Sequence, residues 1–291
     1  MRNKQKTEEL LKRDSRIPED SAVFLDRLSF SYEEDSAKLL DDVSLDIKKG
    51  QVVSVIGHNG AGKSTMAKLI DGILEQTGGD LYLFGVRMTD QNALLLRKDV
   101  GMVFQNPDSQ FIGATVKDDI AFGLENLSVD PKKMDGIILA CAKEVGMEDF
   151  LERSPETLSG GQKQRVALAG MIARHPNIMI LDEAGAMLDP KGKEQIRNII
   201  REKKKRNPEI TILNITHEID EAYEADRVIV LNDGKIVLDG TPDDVFTNDK
   251  LLLSMSLDIP FTHKLVAALR KRGIDPGKIN SEQELLEALC R

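Results

Sequence analysis

Apolar residues fall in short runs along the chain, and their spacing changes from one region to the next. From Ala22 to Tyr32 and from Leu39 to Ile47 they are spaced as in strands with one covered face, which predicts a small antiparallel sheet. Gln51 to Ile56 is a short apolar run ending at a glycine, and Gly62 to Leu74 then follows the 3.6-residue period of a helix. Two further buried-strand runs, Ile178 to Leu181 and Thr211 to Ile215, close on Asp182-Glu183 and Thr216-His217. Polar residues thus gather at three strand ends, where open α/β sheets hold their ligands.

Between Phe104 and Pro176 the pattern is mainly helical. A segment of that length between core strands predicts an inserted subdomain, because loops so long are rarely structureless. Arg227 to Leu231 and Lys235 to Leu238 flank Asn232-Asp233-Gly234, the composition of a tight hairpin turn. Beyond Pro242 the chain turns helical again, with Ser281 and Glu284 spaced as a capping box before Leu285, Leu286 and Leu289. The expected division is a charged lead over residues 1–21, a main α/β domain over 22–242 with its helical insert at about 106–176, and a small C-terminal helical domain over 243–291.

Composition narrows the class. With 40 Lys and Arg against 49 Asp and Glu the formal charge is −9, which argues against nucleic-acid binding by bulk charge. At 41% hydrophobic and 31% charged, the chain has the makeup of a soluble globular protein with a large core. No run approaches the roughly 18 apolar residues of a membrane span. The first twenty residues alternate charges and lack the apolar stretch of a secretory signal, so a cytosolic location is expected. Cys141 and Cys290 are distant and unpatterned, as structural or surface thiols are. The run Lys203-Lys204-Lys205-Arg206 reads best as a solvated helix C-terminus opposing the helix dipole.

The strongest chemical signal is Gly57-His58-Asn59-Gly60-Ala61-Gly62-Lys63-Ser64, which matches the phosphate-binding loop G-x-x-x-x-G-K-[ST] between a predicted strand and a predicted helix. Its glycines let backbone N–H groups turn inward around phosphate oxygens, and the helix N-terminus adds positive potential. Lys63 is placed to reach the β- and γ-phosphates and Ser64 to offer its hydroxyl to Mg²⁺. His58 reads as a solvent-facing loop residue, because the four histidines are unclustered. Asp182 ends a buried run, as a carboxylate holding Mg²⁺ beside such a loop must. Glu183 points differently and is assigned as general base toward the attacking water.

The second signal is Leu158-Ser159-Gly160-Gly161-Gln162, opening a helix predicted over Gln162 to Arg174. Ser159 has the chemistry of an N-cap. Two glycines after a cap weaken a helix start but leave bare N–H groups that an anion can approach.

These motifs together resemble the ATP-binding cassette family over about Val23 to Gly240. The resemblance implies an α/β P-loop NTPase fold of ABC ATPase type, with an N-terminal antiparallel β-subdomain, an inserted helical subdomain and a small C-terminal helical domain. It implies ATP and Mg²⁺ as ligands, with Gly57 through Ser64 and Thr65 around the phosphates and Tyr32, 25 residues ahead of Gly57, stacked on adenine. Gln105 would join the Mg²⁺ site to the helical subdomain, and His217 would contact the γ-phosphate. Leu188-Asp189 would face the opposite subunit. In that family Ser159, Gly160, Gly161 and Gln162 complete the site of a partner cassette, so that ATP acts as adhesive between two chains. The chemistry implied is in-line water attack on the γ-phosphate, stabilised by positioned charge from Lys63, Mg²⁺ and the partner's donors.

A narrower resemblance starts at Gln105. The stretch Gln105-Asn106-Pro107-Asp108-Ser109-Gln110-Phe111, continuing from Gly113 to Gly123, is similar to the energy-coupling factor branch, which powers vitamin and metal-ion uptake. So is Asp258-Ile259-Pro260-Phe261. The branch implies a peripheral protein on the cytoplasmic face of the cell membrane. It would pair with a second, related ATPase, and bind a transmembrane coupling subunit and a substrate-capture subunit, with exposed Phe111 and Ile112 at the docking groove. Gly185 departs from the threonine or serine of many relatives. Two other readings are a cassette protein acting on ribosomes or DNA and a regulatory nucleotide binder. One cassette without sustained heptads disfavours the former, and intact Glu183 and His217 the latter.

Overall fold

The computed structural model describes residues 9–33 and 36–273. The capping box expected at Ser281 and Glu284, and Cys290, lie outside the described residues. Ten strands form two sheets among the described residues. The first is antiparallel, in the order β2-β1-β4-β5, from β1 Ser21–Phe30, β2 Leu40–Lys48, β4 Gly78–Leu83 and β5 Val86–Arg87. The second has the order β10-β9-β3-β8-β7-β6, with β3 Val52–Ile56, β6 Val100–Val103, β7 Ile178–Asp182, β8 Thr211–Ile215, β9 Arg227–Asn232 and β10 Lys235–Gly240. Its strands are parallel except β10, which returns antiparallel on β9 through the turn at Asp233 and Gly234, φ 45° and 74°.

The parallel strands are apolar on both faces because both are covered. Val53, Val55, Leu213 and Ile215 face the antiparallel sheet and helix α1, Lys63–Ile70. Met179, Leu181 and Ile212 face the helical insert. That insert is built from α3 Val116–Asn126, α4 Pro131–Glu144 and α5 Gly160–Ala173, following the short α2 Ala93–Leu96. Cys141 is buried there, and burial pushes its thiol pKa up. Helix α6, Pro190–Arg206, starts on the N-cap Asp189, whose Oδ1 accepts from Gly192 N at 2.8 Å. Its basic end is structural: Lys204 Nζ donates to the carbonyls of Pro208 (2.6 Å) and Ile210 (3.0 Å), and Lys203 pairs with Glu144 at 2.7 Å.

The sequence reading did not place β4, β5 and β6, and it began the helical region at Phe104, directly where β6 stops. After β10 the chain is helical, in α8 Pro242–Phe246, α9 Asp249–Ser254 and α10 Phe261–Lys271, with α7 Ile219–Tyr223 lying earlier between β8 and β9. Val245, Phe246, Leu252, Leu257 and Ile259 share a buried cluster with Ile56, Val228 and Val230. The start of the C-terminal region therefore packs on the edge of the main sheet. Phe246 is fully buried, its ring 5.8 Å from that of Tyr223. Phe246→Ala is expected to lower unfolding stability by about 3–5 kcal/mol, as large-to-small changes at such sites do, measured by urea denaturation.

Candidate functional site

The parallel topology brings the C-terminal ends of β3, β6, β7 and β8 to one edge, and each supplies a polar residue there. After β3 the loop reaches Gly62, whose φ of 103° favours glycine and which makes no side-chain cap on α1. The first N–H groups of α1 thus have no intrahelical partners and stay open to an anion. Lys63 is buried, and its Nζ donates to the carbonyls of Gly57 (2.8 Å) and His58 (3.0 Å). Burial lowers its pKa against the raising effect of Glu183 and Asp182. A phosphate would restore the counter-charge that burial removes.

Ser64 Oγ donates to Asp182 Oδ1 at 3.0 Å, joining the first turn of α1 to the end of β7. Asp182 is buried, and desolvation pushes its carboxyl pKa up, opposed by the Ser64 hydrogen bond. Glu183, one residue on, has φ 50°, which turns its carboxylate away from that of Asp182. Its Oε2 accepts from Gln105 Nε2 at 2.5 Å, and its Oε1 lies 2.6 Å from His217 Nε2. Three residues far apart in sequence, Ser64, Gln105 and His217, therefore meet around one carboxylate pair.

The other expected residues divide. Tyr32 lies just beyond β1, exposed, its ring edge-on to Phe30 and its hydroxyl 3.2 Å from Thr65 Oγ1. His58 Nδ1 donates to Asn59 O at 2.8 Å, and its Nε2 is 3.4 Å from Asp233. Gly60 has φ 87°, and Ala61 is buried beneath the loop. Ser159 and Gln162 form a reciprocal capping box: Ser159 Oγ accepts from Gln162 N, and Gln162 Oε1 from Ser159 N at 2.9 Å. Helix α5 consequently begins at Gly160, not Gln162, because the cap offsets the weak start of the two glycines. Ser159, Gly160 and Gly161, with Met187, Leu188 and Asp189, border an open cleft of their own, which Gln162 does not line.

Sequence reasoning missed the residues that set the Gln105 loop. Gln164, buried one turn into α5, donates to Phe104 O at 3.2 Å, Gln110 Oε1 accepts from Phe104 N at 3.2 Å, and Lys163 pairs with Asp108 at 2.5 Å. Apart from lying beside a motif, nothing in the linear order marks them. Phe111 is a correction: it is half-buried against the helical core rather than exposed, whereas Ile112 is 69% exposed.

Among the described residues no group of three His, Cys, Asp or Glu side chains could hold a metal unaided. The oxygen donors present, Ser64 Oγ and buried Asp182, fit Mg²⁺, which binds through one or two carboxylates and completes its shell with water and substrate phosphates. Fold and strand-end chemistry together define a P-loop nucleoside triphosphatase.

The sequence profile of the ABC transporter family matches residues 40–186. The chain is 47% identical over 276 residues to the energy-coupling factor transporter ATP-binding protein EcfA1 of Ligilactobacillus salivarius, covering 94% of this chain and 98% of that one. Among solved structures it resembles CbiO1 of Clostridium perfringens, part of the ABC transporter complex cbiONQ, at 32% identity and TM-score 0.70, covering 85% of this chain and 99% of that chain. A dimeric ATP-binding cassette in a post-hydrolysis state with ADP and Pi matches at 29% identity and TM-score 0.69, covering 76% of this chain and 98% of the other. The chain belongs to the energy-coupling factor transporter ATP-binding proteins of the ABC transporter family. As such it is an ATP-binding and ATP-hydrolysing subunit of a transporter.

Proposed function

We infer that this chain, a subunit of an energy-coupling factor importer, drives uptake of a vitamin or other micronutrient by closing on ATP with a second, related cassette and reopening after hydrolysis. The main observation is the Glu183 carboxylate, held between Gln105 and His217 beside the Ser64–Asp182 pair. Glu183 accepts the proton of the attacking water, and Gln105 and His217 fix its orientation. Lys63 neutralises phosphate charge, and the loop from Gly57 to Thr65, with His58, Asn59, Gly60, Ala61 and Gly62, wraps the phosphates. Tyr32 carries the adenine. Ser64, Asp182 and Gln105 would hold Mg²⁺, which would supply positive charge to the transferred phosphoryl group.

Ser159, Gly160, Gly161 and Gln162 serve the partner's nucleotide, with Asp189 at the same seam. This fits the place of Ser159, Gly160, Gly161 and Asp189 on a separate cleft and the dimeric assembly of the ADP-and-Pi-bound cassette. Residues 22–242 form the ATPase unit with its helical insert at 106–176, and a C-terminal helical unit begins at residue 243, the part of the expected 243–291 unit beyond residue 273 lying outside the described residues. Among the described residues no helix is long and apolar enough to cross a membrane, so import requires transmembrane coupling and substrate-capture subunits. The chain sits against them on the cytoplasmic face, peripherally and without nucleic acid.

Ile112, exposed beside the Gln105 loop, is the docking residue best placed to report on this. Ile112→Asp is expected to keep ATP turnover of the purified chain within twofold. It is also expected to reduce co-purification with a hydrophobic membrane partner at least tenfold, because an unpaired charge is placed in an apolar contact. Undiminished co-purification would remove this surface from the assembly, and recovery only with ribosomes or DNA would overturn the importer reading.

A further inference from the structure

Helix α6 is 17 residues long, yet only Gly192 and Ile196 are buried along it. Its inward stripe, Lys193, Ile196, Arg197, Ile200, Arg201 and Lys204, lines a cavity of about 440 Å³ against the sheet, although Ile196 still packs into the core with Ile212. That volume lies in the range of small-molecule sites, roughly 300–1,000 Å³. The floor is one face of three parallel strands, with Val52 beside Ile212 and Ser54 beside Asn214 in register. Glu221, Glu224 and Ala225 form one wall, and Ala184 and Gly185 close the end nearest Glu183.

The chemistry of this cavity is uneven. Most of the floor is apolar, but Ser54 interrupts an otherwise apolar strand, is 1% exposed, and its Oγ has no hydrogen-bond partner. Arg197 pairs with Glu194 through Nη2 at 3.0 Å, while its Nε is buried and also without a partner. A buried hydroxyl and a buried guanidinium N–H left unmatched cost free energy unless an acceptor arrives. The carboxylates on the wall are already engaged: Glu224 binds Arg201 at 2.7 Å, and Glu221 accepts from Thr216 Oγ1 at 2.7 Å. Of the cations in the lining, Lys193 pairs with Glu218 at 2.5 Å, Arg201 with Glu224, and Lys204 with main-chain carbonyls, which leaves the Arg197 guanidinium, held by Glu194 alone, to meet an anion.

We propose that this cavity is an effector site for a small amphiphilic monocarboxylate, whose apolar body lies on Val52, Ile212 and Ile200 and whose carboxylate pairs with the Arg197 guanidinium. The ligand lies against Ala184 and Gly185, the two residues that follow Glu183. Gly185 leaves room at this end: a Cβ there would be 3.4 Å from Lys193 Cγ and 3.8 Å from Glu221 Oε1. Occupancy therefore shifts the segment that aims Glu183 and lowers ATP turnover.

The test uses the full chain with 1-anilinonaphthalene-8-sulfonate as fluorescent probe and decanoate as competitor. Decanoate is expected to displace the probe with one-to-one stoichiometry and to lower ATP turnover at least twofold. Decanol, which lacks the carboxylate, should compete at least tenfold more weakly. Arg197→Met should weaken decanoate at least tenfold, and Ile200→Trp, which fills the cavity, should abolish both displacement and inhibition while leaving basal turnover unchanged. Failure of decanoate to displace the probe, equal displacement from wild type and both variants, or binding without change in turnover would each overturn the proposal. Because Arg197 is only partly buried, its variant keeps the test valid should the larger tryptophan disturb folding. Displacement is read without ATP, so its failure is distinguishable from a failure of the ATPase assignment.

Discussion

Glu183→Gln should bind ATP as the wild-type chain does and lose turnover by about 10²–10⁴-fold, the range that removal of a positioned general base produces. The substitution keeps the size of the side chain and one oxygen, so the contact from Gln105 Nε2 at 2.5 Å survives. What disappears is the basicity that takes a proton from water. If ATP joins two cassettes across the cleft bordered by Ser159 and Asp189, the variant should also accumulate as an ATP-bound pair. Gel filtration at saturating ATP would then show about twice the monomer mass, because the step that loosens the pair no longer occurs. Wild-type turnover in this variant would remove Glu183 from the role of base. A monomer in ATP, with Ser159 dispensable, would remove the shared site.

Lys63→Ala should act at the preceding step. The ammonium is buried and held by the carbonyls of Gly57 and His58, which aim it into the loop without neutralising it. Hydrogen bonds to charged groups are worth about 1.5–3 kcal/mol, so the loss of this one corresponds to ATP binding weaker by about tenfold or more. Equilibrium binding of a fluorescent ATP analogue is the direct measurement, and unchanged affinity would contradict the assignment. The two variants separate cleanly, because Glu183→Gln spares binding while Lys63→Ala loses it.

The elements that position this chemistry differed in how far the sequence revealed them. β3, β7 and β8 were legible because short, mainly apolar runs closed by polar residues are the signature of strands covered on both faces. β6 was not. It is four residues long with a glycine inside, and glycine ordinarily weakens a strand. Tertiary packing explains its presence: a Cβ at Gly101 would lie 2.7 Å from Met171 Cγ of α5, so this position requires the smallest residue for the helix to close on the sheet. β4 and β5 were hidden similarly, since Gly78 and Gly79 obscure the alternation that begins at Leu81.

Local chemistry carried its own signal. A glycine loop before Lys63-Ser64, a strand closing on Asp182-Glu183 and a cap at Ser159 are each set by neighbours within a few residues, so the linear order determined them. Only the tertiary structure decided that Gln105 and His217 meet the Glu183 carboxylate, that Gln164 and Lys163 fasten the Gln105 loop, that Phe111 turns inward, and that a cavity stays open between Arg197 of α6 and the sheet. Such long-range contacts, 78 positions apart for Gln105 and Glu183 and 60 for Gln164 and Phe104, depend on strand order and helix packing, and no local spacing along the chain encodes either.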